Sequence, residues 1–400
     1  MAVLAGVLAL LACVGMGQAV AGWLLCRRFV SRMALPDPKG HALPPITLLK
    51  PLHGDEPMLE QALETVIRQD YPAFQIVFGV QDPADTAIAV VNRLRARFPE
   101  ADIALVVDPT DHGRNRKVGN LINMFPAARH DVLVIADSDL HVRPDYLTRL
   151  AAALEAPNVG LVTTLYAGLP ASRAYPARLG AMQITHGFLP GALLARAMGR
   201  QDCLGATMAL LRETLARIGG LQTLAPHLAD DNVLGQRVRA LGLRVALAGT
   251  IVATTVPEET TKALFRHELR WARTIRALVP ASHAASILQY PLFWAALAGL
   301  ITPWGWVLFV LAWLVRAIVA RGIDLALAPA LNGLAFRCPV WLLPAREALS
   351  VAVWVASHAG TWVDWRGQGL HADTPARSSL PPPPDDHSTA PRSAEGLNPR

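Results

Sequence analysis

Val132-Leu133-Val134-Ile135-Ala136-Asp137-Ser138-Asp139 is an apolar run that breaks abruptly into two carboxylates flanking a serine. A short, β-branched apolar run bounded by polar residues reads as a buried strand. The stretches on either side fit a sheet. Ile46–Leu49, Phe74–Val80, Ile103–Val107 and Val159–Leu165 are further candidate strands. Amphipathic stretches at Pro57–Gln69, Asp85–Arg97, Lys117–Phe125 and Pro144–Glu155 alternate with them as helices, two of which start at proline. Alternating strand and helix implies an α/β sheet, in which ligands bind beyond the carboxyl ends of the strands. Asp137 and Asp139 stand at such an end, and two carboxylates at i and i+2 can both turn toward a strand-end cleft as the chain leaves its ladder.

Three acidic positions share this placement. Asp82 ends the second strand, Asp137 follows the fourth, and Asp230-Asp231 precede an amphipathic helix at Asn232–Leu241. A diphosphate leaving group carries several negative charges, and a hard divalent cation, Mg²⁺ or Mn²⁺, held by oxygen ligands would bridge it. Asp137 and Asp139 are the candidate metal ligands. Asp82 suits the base or ribose of a nucleotide, and a carboxylate across the cleft suits deprotonation of an acceptor hydroxyl. Asp231 is the candidate base, with Asp230 as the adjacent alternative. Farther on, Arg270 and Trp271 lie on a helix-like stretch, where an arginine can neutralise a departing diphosphate and an indole can face a sugar or lipid. Taken singly, each aspartate is as readily a helix cap or loop charge, and an Arg-Trp pair beside a membrane is as readily an anchor.

Composition narrows the class. Across 400 residues, 52% are hydrophobic and 17% charged, too apolar for an ordinary soluble enzyme and too charged for a pure membrane bundle. Residues 1–26 are nearly uncharged and long enough to cross a bilayer as a helix. Arg27, Arg28 and Arg32 follow directly and place the next segment in the cytoplasm by the positive-inside rule. A domain over residues 45–280 is therefore expected to be cytoplasmic and catalytic, with a junction at 277–285. Membrane segments are expected over 286–365: one up to about Ile301, one over Pro303–Ala320 and one around Glu347–Trp365. The proline-containing interval Ile323–Pro344 reads as interfacial or re-entrant, and Trp362 and Trp365 as interface anchors. Residues 371–400, with Pro381 to Pro384 in a row, read as a disordered tail. The net charge of +6 suggests no nucleic-acid partner, because no basic run interleaves with aromatics. Only four of the 37 basic residues are lysines, an arginine bias typical of GC-rich bacterial genomes. The four cysteines have no CxxC spacing and support neither a disulfide framework nor a zinc site.

The run Leu48-Leu49-Lys50-Pro51-Leu52-His53-Gly54, the segment Leu63-Glu64-Thr65 through Tyr71-Pro72, Val80-Gln81-Asp82, Asn115-Arg116-Lys117, Asp137-Ser138, Asp231, Arg270-Trp271 and Arg346-Glu347 resemble, in this order, the ceramide glucosyltransferase family. The resemblance implies a GT-A (Rossmann-like) fold and an inverting, metal-dependent transferase using a UDP-sugar donor and a membrane lipid acceptor. By position Asp82, Asp137 and Asp231 match the family's aspartates, Asp231 being the proposed base, and Arg270 and Trp271 match its RW pair. Lys117 joins Asp82 and Asp137 as a donor-binding candidate. His267 departs from the family's Gln or Arg, whereas Asp139 completes a DxD that the animal enzymes lack. Within the family, Asn115-Arg116-Lys117-Val118, Ile135-Ala136-Asp137-Ser138-Asp139 and Arg266-His267-Glu268-Leu269-Arg270-Trp271 are most similar to hopanoid-associated bacterial glycosyltransferases. That likeness implies transfer of N-acetylglucosamine to a bacteriohopanepolyol at the bacterial inner membrane. The alternatives are a ceramide glucosyltransferase, a processive polysaccharide synthase and a non-catalytic membrane scaffold. His186, in the Gly- and Leu-rich stretch Met182–Gly205, is a weak acceptor-site candidate beside its structural reading.

Overall fold

The computed structural model describes residues 1–33, 43–360, 362–365 and 368–371. The chain opens with α1 (Ala2–Ser31). It then alternates β1 (Ile46–Pro51), α2 (Leu59–Ile67), β2 (Phe74–Val80), α3 (Ala87–Arg97), β3 (Ile103–Val107), α4 (Arg116–Met124) and β4 (Val132–Ala136). After β5 (Leu140–His141) and α5 (Tyr146–Leu154) come β6 (Val159–Pro170), α6 (Tyr175–Gln183), a π-helical turn over Ile184–Phe188 and α7 (Leu189–Ala197). Then follow β7 (Thr207–Leu211), α8 (Arg212–Arg217), α9 (Asp230–Ala240), β8 (Arg244–Val256) and α10 (Thr261–Leu278). The remainder is α11 (Pro280–Ala285), α12 (Pro291–Ile301), α13 (Trp304–Leu327), α14 (Leu343–Ser357) and a hairpin of β9 (Trp362–Trp365) and β10 (Gln368–His371).

One mixed sheet carries the fold, in the order β3-β2-β1-β4-β7-β6-β8-β5. Strands β3, β2, β1 and β4 are parallel, so their carboxyl ends line one edge. Residues of β1, β2 and β4 are buried on both faces, Ile46, Leu48, Ile76, Phe78 and Val134 in one cluster with α2 and α3 and Leu49, Val77, Leu133 and Ile135 in another, while edge strand β3 is half-buried. Near-continuous apolar strands are what a parallel sheet covered by helices requires. Asn115 starts α4, its Oδ1 accepting from the Val118 amide at 3.1 Å, a cap that contributes about 1 kcal/mol. Gly79 lets α4 lie against β2, because a Cβ there would come within 2.3 Å of the Met124 side chain. Asn120 Nδ2 uses that closeness to donate to Gly79 O at 2.8 Å.

Strand β7 runs antiparallel to β4, pairing Ala136 with Thr207. The residues just before β7 consequently stand beside those just after β4. Strand β5 abandons β4 and pairs with the far strand β8, Leu140 opposite Thr254. The intervening triplet 137–139 bridges that change of partner.

Among the described residues three helical segments, Ala2–Ser31, Trp304–Leu331 and Val340–Ser357, are long and apolar enough to cross a membrane. The pair Pro280–Gln289 and Pro291–Ile301 is bent by 62°. The apolar stretch that ends at Ile301 is thus broken rather than straight, as expected where Pro291 removes a helical hydrogen bond. The helix beginning near Pro303 continues to Leu327, past Ala320. The one anticipated to reach Trp365 stops at Ser357, and the Trp362–Trp365 backbone is strand. Most of the 371–400 segment lies outside the described residues. Cys26 on α1 and Val319, Ile323 and Leu327 on α13 share a cluster with Leu165 and Ala167 of β6 and Ile251 and Ala253 of β8. The carboxyl ends of both long helices are thereby fixed to the sheet.

Candidate active site

The change of partner between β4 and β5 frees the Asp137 and Asp139 side chains from the ladder, while the Asp137 amide donates to Ala206 O at 3.1 Å and anchors the triplet to β7. Lys117, on the first turn of α4, places Nζ 2.6 Å from Asp137 Oδ1 and 3.9 Å from Asp230 Oδ2. Burial works against the Lys117 charge, but Asp137 and Asp230 hold its pKa above the usual lysine value. Asn115, while capping α4, also donates through Nδ2 to Asp230 Oδ1 at 3.2 Å and His227 O at 2.8 Å. The Asn115-Arg116-Lys117 motif therefore joins α4 to the start of α9.

Asp139 accepts from Thr254 Oγ1 at 2.6 Å. Burial, with the neighbouring Asp137, pushes its pKa up to about 6. Ser138 donates to Glu56 Oε2 at 2.6 Å, bringing a further carboxylate from the loop after β1. Beneath them Lys50 of β1 is fully buried, and its Nζ has no hydrogen-bond partner among the described residues. Burial lowers the Lys50 pKa to about 8, opposed by Asp139, Asp137 and Glu56.

Asp231 lies in the first turn of α9, Oδ1 accepting from the Asn232 amide at 2.7 Å. Burial first, and then Asp230 beside it, raise its pKa to about 7. Gly205 receives this carboxylate: a Cβ there would stand 2.9 Å from Asp231 Oδ2. Tyr166 is within electrostatic reach of these carboxylates, its pKa raised by burial and then by Asp231, Asp137 and Asp139. Tyr166 stacks on Phe188 with centroids 4.7 Å apart.

The structure thus gathers Lys117, Asp137, Asp139 and Asp231 about one cleft. Asp82 is on the same edge of the sheet but not beside the triplet, since β1 lies between β2 and β4. It is exposed, and Oδ1 accepts from the Ala84 amide at 2.8 Å. Arg270 and Trp271 lie on α10. Trp271 packs on the small cluster of Ala181, Ile184 and Val256 that also receives Tyr166, which links α10 to the cleft. Burial alone would raise the Glu258 pKa, but a hydrogen bond from His267 and the charges of His267 and Arg270 hold it below the usual range. His267 is thereby assigned a partner, and its ring meets Trp271 edge-on at 4.6 Å. His186 is buried in the π-helical turn, and Nε2 contacts Asp324 Oδ1 of α13 at 2.8 Å. It ties the sheet domain to a membrane-type helix. Lys50, Glu56, Tyr166 and Gly205 were not singled out as site residues from sequence. Lys50 alone carried a signal, as a lysine inside an apolar strand.

The donor set suits a hard divalent cation. Burial first, and then the neighbouring Asp137, raise the Asp139 pKa, and a cation held by these hard carboxylate oxygens would offset both. No group of three or more His, Cys, Asp or Glu side chains forms a closed cation cage among the described residues. One or two carboxylates completed by substrate phosphates is the ordinary arrangement for Mg²⁺.

Fold and site together define a GT-A type α/β protein with apolar helices at both ends of its sheet domain. The model of Glycosyl transferase family 21 matches residues 7–377, and the chain belongs to that family. Ceramide glucosyltransferase 1 of Caenorhabditis elegans is 23% identical over 64% of this chain and 54% of its own length. The ceramide glucosyltransferase of Komagataella phaffii is 31% identical over 32% of this chain and 26% of its own. An N-acetylglucosaminyltransferase of Rhizobium leguminosarum bv. viciae is 22% identical over 62% of this chain and 59% of its own. The chain therefore spans between 26% and 59% of the length of these curated relatives. Among solved structures, mannosyltransferase PcManGT from Pyrobaculum calidifontis in complex with GDP-Man and Mn²⁺ superposes with a TM-score of 0.49 at 20% identity, covering 88% of this chain and 99% of that one.

Proposed function

We propose that this chain is an inverting glycosyltransferase that moves a sugar from a UDP-sugar to a hydroxyl of a membrane lipid, with Asp231 as general base. The observation that carries the reading is the meeting of Asp137, Asp139, Lys117 and Asp231 in one cleft on a sheet fixed to membrane-type helices. Asp137 and Asp139 would hold Mg²⁺ or Mn²⁺, which supplies charge neutralisation at the donor diphosphate. Lys117 and Arg270 add positive charge for the leaving UDP, and Asp82 takes part in nucleotide binding at the neighbouring edge. A carboxylate with a pKa near 7 is matched to proton abstraction at physiological pH. The acceptor oxygen attacks the anomeric carbon as the bond to the diphosphate breaks, its proton passes to Asp231, and the configuration inverts. Trp271 offers the sugar or lipid an aromatic face. His186 acts on the acceptor side indirectly, by fixing α13 to the domain.

In the reading we favour, the donor is UDP-GlcNAc and the acceptor a bacteriohopanepolyol in a bacterial inner membrane, the sheet domain facing the cytoplasm. The motif phrasing around Asp137 and Arg270 supports it. A ceramide acceptor with a glucose donor is the second reading, supported by the names of the ceramide glucosyltransferase relatives. Full-length protein in lipid nanodiscs, supplied with Mg²⁺ or Mn²⁺, labelled UDP-GlcNAc or UDP-glucose and each lipid in turn, decides between them. Labelled monoglycosylated hopanoid from UDP-GlcNAc is the expected product. Label in ceramide alone favours the second reading, and label in neither refutes both.

A further inference from the structure

A cavity of about 460 Å³ opens where the end of β6 meets the connection between α13 and α14. Arg173, Arg178 and Arg337 line it together with Ser172, Phe336 and Pro339, and no carboxylate does. Among the described residues none of the three guanidinium groups has an ion-pair or hydrogen-bond partner. Three cations converging on one concavity repel one another, an arrangement that an anionic ligand relieves.

Its position says where that ligand comes from. The cavity wall at Phe336–Pro339 joins two segments long and apolar enough to cross a membrane, Trp304–Leu331 and Val340–Ser357, and with both as spans it would lie where the chain leaves and re-enters the hydrocarbon. Beside it Tyr175 and Trp341 meet edge-on at 5.8 Å and remain 59% and 56% exposed. Exposed amphipathic rings at this level are interface anchors. A basic pocket between spans, rimmed by such rings, has the chemistry of a phospholipid headgroup site.

We propose that Arg173, Arg178 and Arg337 form a binding site for the phosphate of an anionic phospholipid, drawn from the leaflet next to the sheet domain. Guanidinium forks bind the phosphodiester oxygens, Ser172 can donate a further hydrogen bond, and the acyl chains follow the exposed apolar faces of α13, such as Leu325 and Ile318. The pocket has none of the cleft's carboxylates in its lining, although Phe336 packs on the same Ala181–Ile184–Val256 cluster as Tyr166 and Trp271, and lipid binding there is read without the proposed transfer reaction.

Native mass spectrometry of the full chain in neutral detergent tests it. With phosphatidylglycerol added, the wild type is expected to retain one lipid far more strongly than with phosphatidylcholine. At the usual strength of one arginine near an anionic surface, Arg178→Gln/Arg337→Gln weakens that retention about thirty-fold. Arg95→Gln, which alters an exposed arginine on α3, leaves it unchanged. Because the substituted arginines have no protein partner among the described residues, circular dichroism of the double variant should match the wild type. Equal phosphatidylglycerol retention by the double variant overturns the site. Displacement of the lipid by millimolar inorganic phosphate, with equal stabilisation of the protein by phosphate alone, overturns the lipid as its source.

Discussion

Replacing Asp231 with asparagine keeps the size of the side chain and removes the carboxylate proposed as the base. In the Asp231→Asn variant the Asn232 amide can still donate to the remaining side-chain oxygen, so α9 should begin where it does now. General-base catalysis contributes about 10²- to 10⁴-fold, and loss of transfer in that range is expected, with the affinity for UDP little changed because Asp137, Asp139 and Lys117 remain. The pH profile carries more information than the rate. With Asp231 titrating near 7, transfer by the wild type rises through neutrality, stands at about one tenth of its plateau a pH unit below that value, and levels off above it. Stability runs the other way. A carboxyl whose folded pKa is raised binds protons that the unfolded chain does not hold between pH 3.8 and about 7, so folding stability falls as pH rises through that window. The cost above it is at most about 4 kcal/mol. The asparagine variant escapes this cost and should melt higher than the wild type at pH 8, the difference shrinking as the pH approaches about 4. Rates by radiolabel transfer into extracted lipid and melting by intrinsic fluorescence, both followed from about pH 5 to about pH 9, provide the readouts. Full activity in the variant, or a melting temperature lowered equally at every pH, would refute the assignment.

Other residues give sharper local tests. Asp139→Asn should raise the Mg²⁺ or Mn²⁺ concentration for half-maximal UDP-sugar binding by about 10- to 100-fold, measured by calorimetry, while leaving the fold intact. Gly205→Ala has permissible backbone geometry, but its methyl would stand 2.9 Å from Asp231 Oδ2. Displacing the base in this way should lower kcat on the order of 100-fold with little change in donor KM. Arg346 of α14 grips Glu268 of α10 through two hydrogen bonds of 2.7 and 2.6 Å, both side chains buried. Arg346→Met leaves Glu268 buried without that partner and should destabilise the protein by about 3–5 kcal/mol, detected as a lower melting temperature, with partial recovery in the Arg346→Met/Glu268→Gln double variant.

The parallel half of the sheet was legible because β1, β2, β3 and β4 are short apolar runs separated by amphipathic helices, and their bounds match the periodicity closely. In the other half, β6 was legible as Val159–Leu165 but β5, β7 and β8 were not. Thr207–Leu211 passes directly into α8, so its few apolar residues read equally as helix. Strand β8 mixes Thr, Gly and Ala through its length, which breaks up the β-branched apolar run that marks a strand. Those two strands and β5 create the cleft, since β7 brings Gly205 beside the triplet and β8 supplies Thr254 to Asp139. Sequence order therefore singled out Asp137, Asp139 and Asp231 as candidates, but their spatial arrangement depends on pairings between segments far apart in the chain. Tyr166 and Glu56 lacked any local signal: one is an aromatic in a strand, the other a loop carboxylate. The Arg173, Arg178 and Arg337 pocket joins positions from two distant segments and is visible only in three dimensions.

The most direct measurement is the anomeric configuration of the lipid product formed from an α-linked UDP-sugar, read by proton NMR of the purified glycolipid. Inversion with Asp231 as base predicts a monoglycosylated membrane lipid with a β linkage, absent with Asp231→Asn. An α-linked product, or UDP release with no sugar in any lipid, would contradict it.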